Sequence, residues 1–439
     1  MKQDRHGNPL SSGTADSIAA LDSAVAQLNA FRGDPVRTVA QALKAEPDFV
    51  MAHVFLAAIF ATAMDKTLLP NALRALKAAE DLATQATDRE RAHIGAIRRW
   101  VDGDIAGATE AWGRVAMQHP RDILAIQMAQ QGDFFQGQSL MLRDRIARVI
   151  GAWTPDVPGH GFVHGMYAFG LEEAGEYRAA EKHGRLAMEV NPEDAWAAHA
   201  VAHVLEMEAR TLEGIAWIDD TSGGWNETGL LAYHLWWHLG LMWLEQGNPA
   251  EVLAVYDRNI GSVLDQALSA VDGSALLWRL WMLGHDVGER WGPVATQWAT
   301  RVEHGINAFN DVHAAMAFAA TGRERELDAQ IATLERSAAG TGTNALMARE
   351  VGVGAARGLQ AFGRGRYGDA LDHLIGVMPR AALFGGSHAQ RDILSWTALE
   401  AAIRAGDKGA AQALAAERLA RKPESPVNAA WRRRAAALA

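Results

Sequence analysis

Three times along the chain a glycine is followed five residues later by alanine and seventeen later by proline: Gly103, Ala108, Pro120; Gly175, Ala180, Pro192; and Gly406, Ala411, Pro423. Each residue type answers a steric demand. Glycine takes the left-handed conformation that closes one helix, alanine lets a second helix pack closely against the first, and proline stops that second helix. The pattern is that of a helix-pair repeat. Gly103, Gly175 and Gly247 are moreover 72 residues apart, twice the length of such a pair, so a middle unit is expected between each. Weaker units are RGDPVRTVAQALKAEP ending at Pro47, GRGRYGDALDHLIGVMP ending at Pro379, and ATGRERELDAQIATLE at Gly322.

Helix formers dominate between these marks and β-branched alternation is scarce. The expected fold is therefore all-α: a tetratricopeptide-type helix-pair solenoid, a right-handed α-α superhelix of about seven pairs. Residues 15–439 are expected to form one repeat domain after a flexible N-terminus, 1–14. Irregular connections are expected at 153–161, 219–229 and 337–344, where Gly, Pro, Ser, Thr and Asp cluster.

Composition narrows the chemistry. The 439 residues are 49% hydrophobic and 21% charged, enough for a large core, and the formal net charge of −10 offers no basic stripe for nucleic acid or acidic lipid. With no cysteine, any metal must be held by His, Asp or Glu. The polar opening MKQDRHGNPLSSGTADS has no apolar signal core, and the apolar stretch 49–64 is too short to span a membrane, so it reads as a buried helix of a cytoplasmic protein.

Histidine supplies the candidate site. His160/His164, His199/His203 and His234/His238 are pairs at i,i+4, whereas random placement of 16 histidines gives roughly 0.6 such pairs. Four residues are one helical turn, so each pair puts two imidazoles on one helix face. His164, His199 and His234 also follow at intervals of 35, close to one repeat. With Pro192 ending one unit, Ala195 opens the next helix, and His199, His203 and Glu206 fall on one stripe facing the groove. Counting back from Gly247 puts His234 and His238 on the groove face of the following first helix. The same count from Gly175 turns His160 and His164 toward the packing stripe. Imidazoles with a carboxylate one turn beyond suit a divalent metal such as Zn²⁺, Mn²⁺ or Fe²⁺. The glutamate of an HExxH peptidase motif is absent from these pairs.

Asp311 and His313 in FNDVH offer a further carboxylate and imidazole, although Asn310 or Asp311 also reads as a helix N-cap. His388, Gln390, Arg391 and Asp392 in GGSHAQRD open a helix where an anion or a cap would fit equally. Ten of the 15 tryptophans lie between Trp196 and Trp298. Tryptophan at helical spacing is usually core, but adjacent Trp236 and Trp237 point in different directions, so one can reach the groove beside His234 and His238.

The segments FVMAH at 49–53, WTPD at 153–156, NPEDAWAAHAVAHVLEM at 191–207, HLWWHLGL at 234–241, FNDVHAAMA at 309–317 and GGSHAQRD at 385–392 resemble the tetratricopeptide repeat protein 38 family and its bacterial relatives. The resemblance spans most of the chain and implies the helical-repeat fold. It also marks His199, His203, Glu206, His234, His238, Asp311 and His313 as positions within shared segments; His160 and His164 depart from the eukaryotic pattern.

Two functions follow as expectations. One is a repeat protein that binds a peptide, protein partner or small ligand in a concave groove lined by Trp236, Trp237, Asp311 and His313. The alternative is a metal-dependent enzyme in which His199, His203, His234 and His238 hold the ion and Glu206 serves as a further ligand or general base.

Overall fold

The structure is a computed structural model describing residues 2–226 and 229–438. The signature units fold as their spacing requires. Asp88–Val101 and Ile105–Gln118 turn at Gly103 (φ 88°), His160–Glu173 and Tyr177–Val190 at Gly175 (φ 79°), and His388–Ala405 and Lys408–Arg421 at Gly406 (φ 74°). Ala108, Ala180 and Ala411 are buried where the second helix meets the first. Middle units stand where the 72-residue interval predicts them: Ile123–Phe135 with Ser139–Val149, turning at Gly137, and Ala195–Met207 with Thr211–Trp225, turning at Ala209.

Among the described residues the helices form eleven consecutive pairs, followed by Pro426–Ala436, rather than about seven. Part of the difference has a physical cause. Met64 (φ 52°) takes the left-handed turn without glycine, so its pair carries no glycine signal, and Ala209 (φ 58°) does the same in a pair that only the 72-residue interval marks.

Two of the segments expected to be irregular are ordered. Lys2–Gln3 and Pro9–Leu10 pair antiparallel, with Lys2 opposite Leu10. The Asp4 carboxylate accepts from the backbone N–H of His6 and Asn8, each at 2.9 Å, and Arg89 donates to the Pro9 carbonyl at 3.3 Å. Residues 219–225 continue a helix that runs to Trp225; Thr221 and Ser222 turn their hydroxyls onto the carbonyls of Trp217 and Asp219, and Trp225 is buried. The remainder of that expected connection, 227–228, lies outside the described residues. Val50–Thr62 is the buried helix expected of the apolar stretch. No helix among the described residues is long and apolar enough to cross a membrane.

The chain groups into two compact units: Met1–Val201 with Gly223–Leu231, and Ala202–Ser222 with Ala232–Ala439. Phe49, Phe55, Trp100, Trp112 and Trp153 belong to the buried core of the first. That of the second includes Trp237, Trp278, Trp298, Phe318 and Trp431. The elements that carry the candidate site are α1 (Ala195–Met207), α2 (Gly229–Glu245), α3 (Ala267–Met282), α4 (Ala308–Thr321), α5 (Glu324–Ala338), α6 (His388–Ala405) and α7 (Lys408–Arg421).

A left-handed alanine costs about 1 kcal/mol that glycine avoids. Ala209→Gly is therefore expected to stabilise the protein by about 0.5–1 kcal/mol and Gly175→Ala to destabilise it by about 1 kcal/mol, read from urea midpoints.

Candidate metal centre

In the second unit, α1 carries His203 and Glu206, α2 carries His234, Trp237 and His238, and α3 carries Asp272 and Arg279. Helical spacing sets their directions: Glu206 follows His203 by three residues, and His238 follows His234 by four. His203 and His238 are 0% exposed and His234 5%. Polar groups removed from water must find partners in the protein, and His234 and His238 each meet a buried carboxylate.

The His203 and His238 ring centroids are 4.3 Å apart, and those of His234 and His238 4.9 Å. Each of the three offers a ring nitrogen within 4.8 Å of the others. Carboxylates orient two of the rings. His238 donates from Nδ1 to Glu206 Oε2 at 2.8 Å, and His234 Nδ1 lies 2.9 and 3.0 Å from the two oxygens of Asp272. An Nδ1–H held by a carboxylate fixes the tautomer and puts the lone pair on Nε2, the arrangement common around metal-binding histidines. Burial, reinforced by His203, His234 and Arg279, holds His238 well below its ordinary pKa, so it is neutral and its lone pair is retained at neutral pH. Burial also raises Glu206 and Asp272 above the ordinary carboxylate range, against the pull of neighbouring cations.

A second layer surrounds these rings. Trp237 stacks on His234 with planes 10° apart, and the Arg279 guanidinium lies 5.6 Å from the Trp237 ring centroid. Of the adjacent pair, Trp237 is thus the residue beside His234, and Trp236 is half-buried. Asp272 and Arg279 carried no motif in the sequence. The signal that could have found them is a charged residue inside the otherwise apolar stretch LSAVDGSALLWRLWML.

His199, one turn before His203 on α1, belongs to the first unit, where its ring lies 5.4 Å from Phe169 and 5.1 Å from Trp196. In the same unit His160 packs edge-on against His164, and His164 shares a proton with His183 across a 2.7 Å contact between their Nδ1 atoms. Asp311 accepts from Gln330 of α5 at 3.0 Å, and His313 donates from Nδ1 to the Phe309 carbonyl at 2.8 Å. Neither Asn310 nor Asp311 caps α4. That cap is Asn307, which precedes the helix and accepts from the Phe309 N–H. GGSHAQRD does cap its helix: Ser387 and Gln390 form a reciprocal capping box at the start of α6.

No protein-family model matches the chain. Among solved structures it is similar to the human IFIT1 dimer with m7Gppp-AAAA, at 14% identity over 97% of this chain and 96% of that one, with a TM-score of 0.44. It is also similar to the APC/C hetero-tetramer Cut9–Hcn1, at 12% identity over 96% of each chain and a TM-score of 0.33. At identities this low, the site must be read from its own residues.

Asp311 yields a pH test. Burial pushes its carboxyl up to about 7, so between roughly pH 4 and 7 the folded chain holds a proton that the unfolded chain releases, and stability falls as pH rises through that window. His313, held down at about 4 chiefly by burial, has the opposite sign: its contribution is complete above the unfolded pKa of about 6.5 and is lost toward pH 4. Asp311→Asn removes only the first effect. The variant is expected to exceed the parent by on the order of 3 kcal/mol at pH 8, with the gap closing toward pH 4, in paired urea titrations.

Proposed function

We propose that this chain, which resembles the tetratricopeptide repeat protein 38 family, is a metal-binding helical-repeat protein whose second unit holds a divalent ion on His203, His234 and His238. The observation that carries this reading is the pair of carboxylate–imidazole bonds, Glu206 to His238 and Asp272 to His234, beside a third imidazole. Glu206 then acts by orienting His238, in place of the ligand or general-base role expected of it. Asp272 does the same for His234. Ligand nitrogens around a tetrahedral Zn²⁺ lie about 3.3 Å apart, so separations within 4.8 Å close by modest ring rotation. Zinc, manganese or ferrous iron are the ions that imidazole and carboxylate surroundings without thiolate favour.

Burial favours the second of the two functions expected of the sequence. A peptide lying along an open face needs side chains that solvent reaches, whereas Trp237, His238 and His313 are all 0% exposed. Enclosed ligands of ionic or small-molecule size fit such surroundings better. Three imidazoles leave one of four tetrahedral positions to another group. An oxygen ligand there would be polarised by the ion, the chemistry of a metal-dependent enzyme. The net charge of −10 favours a small-molecule over a nucleic-acid partner.

Full-length protein purified without chelators, and reconstituted with Zn²⁺, Mn²⁺ or Fe²⁺, is expected to hold about one ion per chain by elemental analysis. His203→Ala, His234→Ala and His238→Ala should each remove most of it. Glu206→Gln and Asp272→Asn should weaken binding roughly 10- to 100-fold while leaving the three imidazoles in place. Folded variants with unchanged metal content, or a parent that takes up none of the three ions, would assign these rings to packing alone.

A further inference from the structure

Arg279 on α3 is 1% exposed. Its Nη1 donates to the Ala275 carbonyl at 3.1 Å and its Nη2 to the Ala389 carbonyl at 2.8 Å, both neutral acceptors. The indoles of Trp237 and Trp396 each lie 5.6 Å from its Cζ. Carboxylates stand near enough to act on its charge, in order of effect Asp392, Glu206 and Asp272. Each has another partner. Asp392 accepts from Arg418 of α7 at 2.6 and 2.8 Å, Glu206 accepts from His238, and Asp272 from His234. Among the described residues no carboxylate forms an ion pair with Arg279. A buried guanidinium without a paired anion is costly, and a fold retains one where something else supplies the anion.

Here two more buried atoms lack a partner among the described residues. One is Trp237 Nε1, and an indole N–H can only donate. His313 Nε2 likewise has none; since its Nδ1–H already donates to Phe309, the neutral ring presents a lone pair there. His313 stands on α4, which packs against α3, the helix that carries Arg279, so the two groups share one neighbourhood of the second unit. The unmet demand is therefore for an anion facing Arg279 and Trp237, and for a hydrogen-bond donor facing His313.

We infer that Arg279, Trp237 and His313 form a binding subsite for a small hydroxycarboxylic acid, with the carboxylate on Arg279 and the Trp237 N–H and the hydroxyl donating to His313 Nε2. The subsite goes beyond the metal reading and does not require it. Its place beside Trp237, which stacks on His234, would set such a ligand next to the proposed ion.

Titration calorimetry of the full chain, zinc-loaded and metal-free, with glycolate, acetate and inorganic phosphate tests this. Glycolate is expected to bind both forms, and more tightly than acetate. Arg279→Met should weaken glycolate at least tenfold without changing metal content, which separates this site from failure of the metal reading. His313→Phe should bring glycolate affinity down to that of acetate. Undiminished glycolate binding by folded Arg279→Met, or binding of phosphate alone, would overturn the assignment. Should Arg279→Met fail to fold, His313→Phe, which leaves the buried charge in place, decides the matter: an unchanged ratio of glycolate to acetate affinity overturns it.

Discussion

Inside the second unit, His238 donates to Glu206 and His234 to Asp272, and all four side chains are buried among helices that exclude water. Each bond satisfies two groups that would otherwise be stranded, and each also fixes which ring nitrogen bears the proton. The pairing depends on packing. Close-set helices bring α1, α2 and α3 to distances at which a carboxylate on one helix meets an imidazole on the next. That closeness comes from small residues: a Cβ added at Gly240 of α2 would lie 3.0 Å from Leu276 of α3, tighter than side chains tolerate without shifting.

Much of this was legible in the sequence because helix pairs obey short-range rules. The i,i+4 spacing of His234 and His238 is a local property, and they share a face as it requires. The left-handed turns at Gly103, Gly175 and Gly406 are equally local. Ala209 was illegible because alanine in that conformation is paid for by surrounding structure and leaves no mark in residue type. Asp272 lies 38 positions from its partner His234, and nothing in the intervening sequence records the pairing. Burial of the groove residues was likewise out of reach, since periodicity gives the direction of a side chain and says nothing of what covers it.

Histidines in the two units show how a structural role differs from a candidate functional one. In the first unit His93 bonds through Nε2 to Asp122 at 2.9 Å and accepts through Nδ1 from Trp112 at 3.2 Å, while Arg89 pairs with the same aspartate at 2.7 Å. Both ring nitrogens have partners, and the His93 hydrogen bond together with the Arg89 charge holds the Asp122 carboxyl far below its ordinary range despite burial. The charges of that network are paired within the protein, and it ties the helix Asp88–Val101 to the start of Ile123–Phe135.

His313 is buried as deeply as His93 but has only one nitrogen satisfied, and Asp311, two residues earlier, is raised toward neutrality instead of being lowered by a cation. Arg279 completes the contrast. Arg89 meets an aspartate, whereas Arg279 meets two neutral carbonyls and two indole faces. The fold gives the buried Arg89 an aspartate of its own. In the second unit the acids that would have served are bound to His234, His238 and Arg418 instead. Charge complementarity there is deferred from the protein to whatever enters, the condition under which buried polarity favours binding over stability.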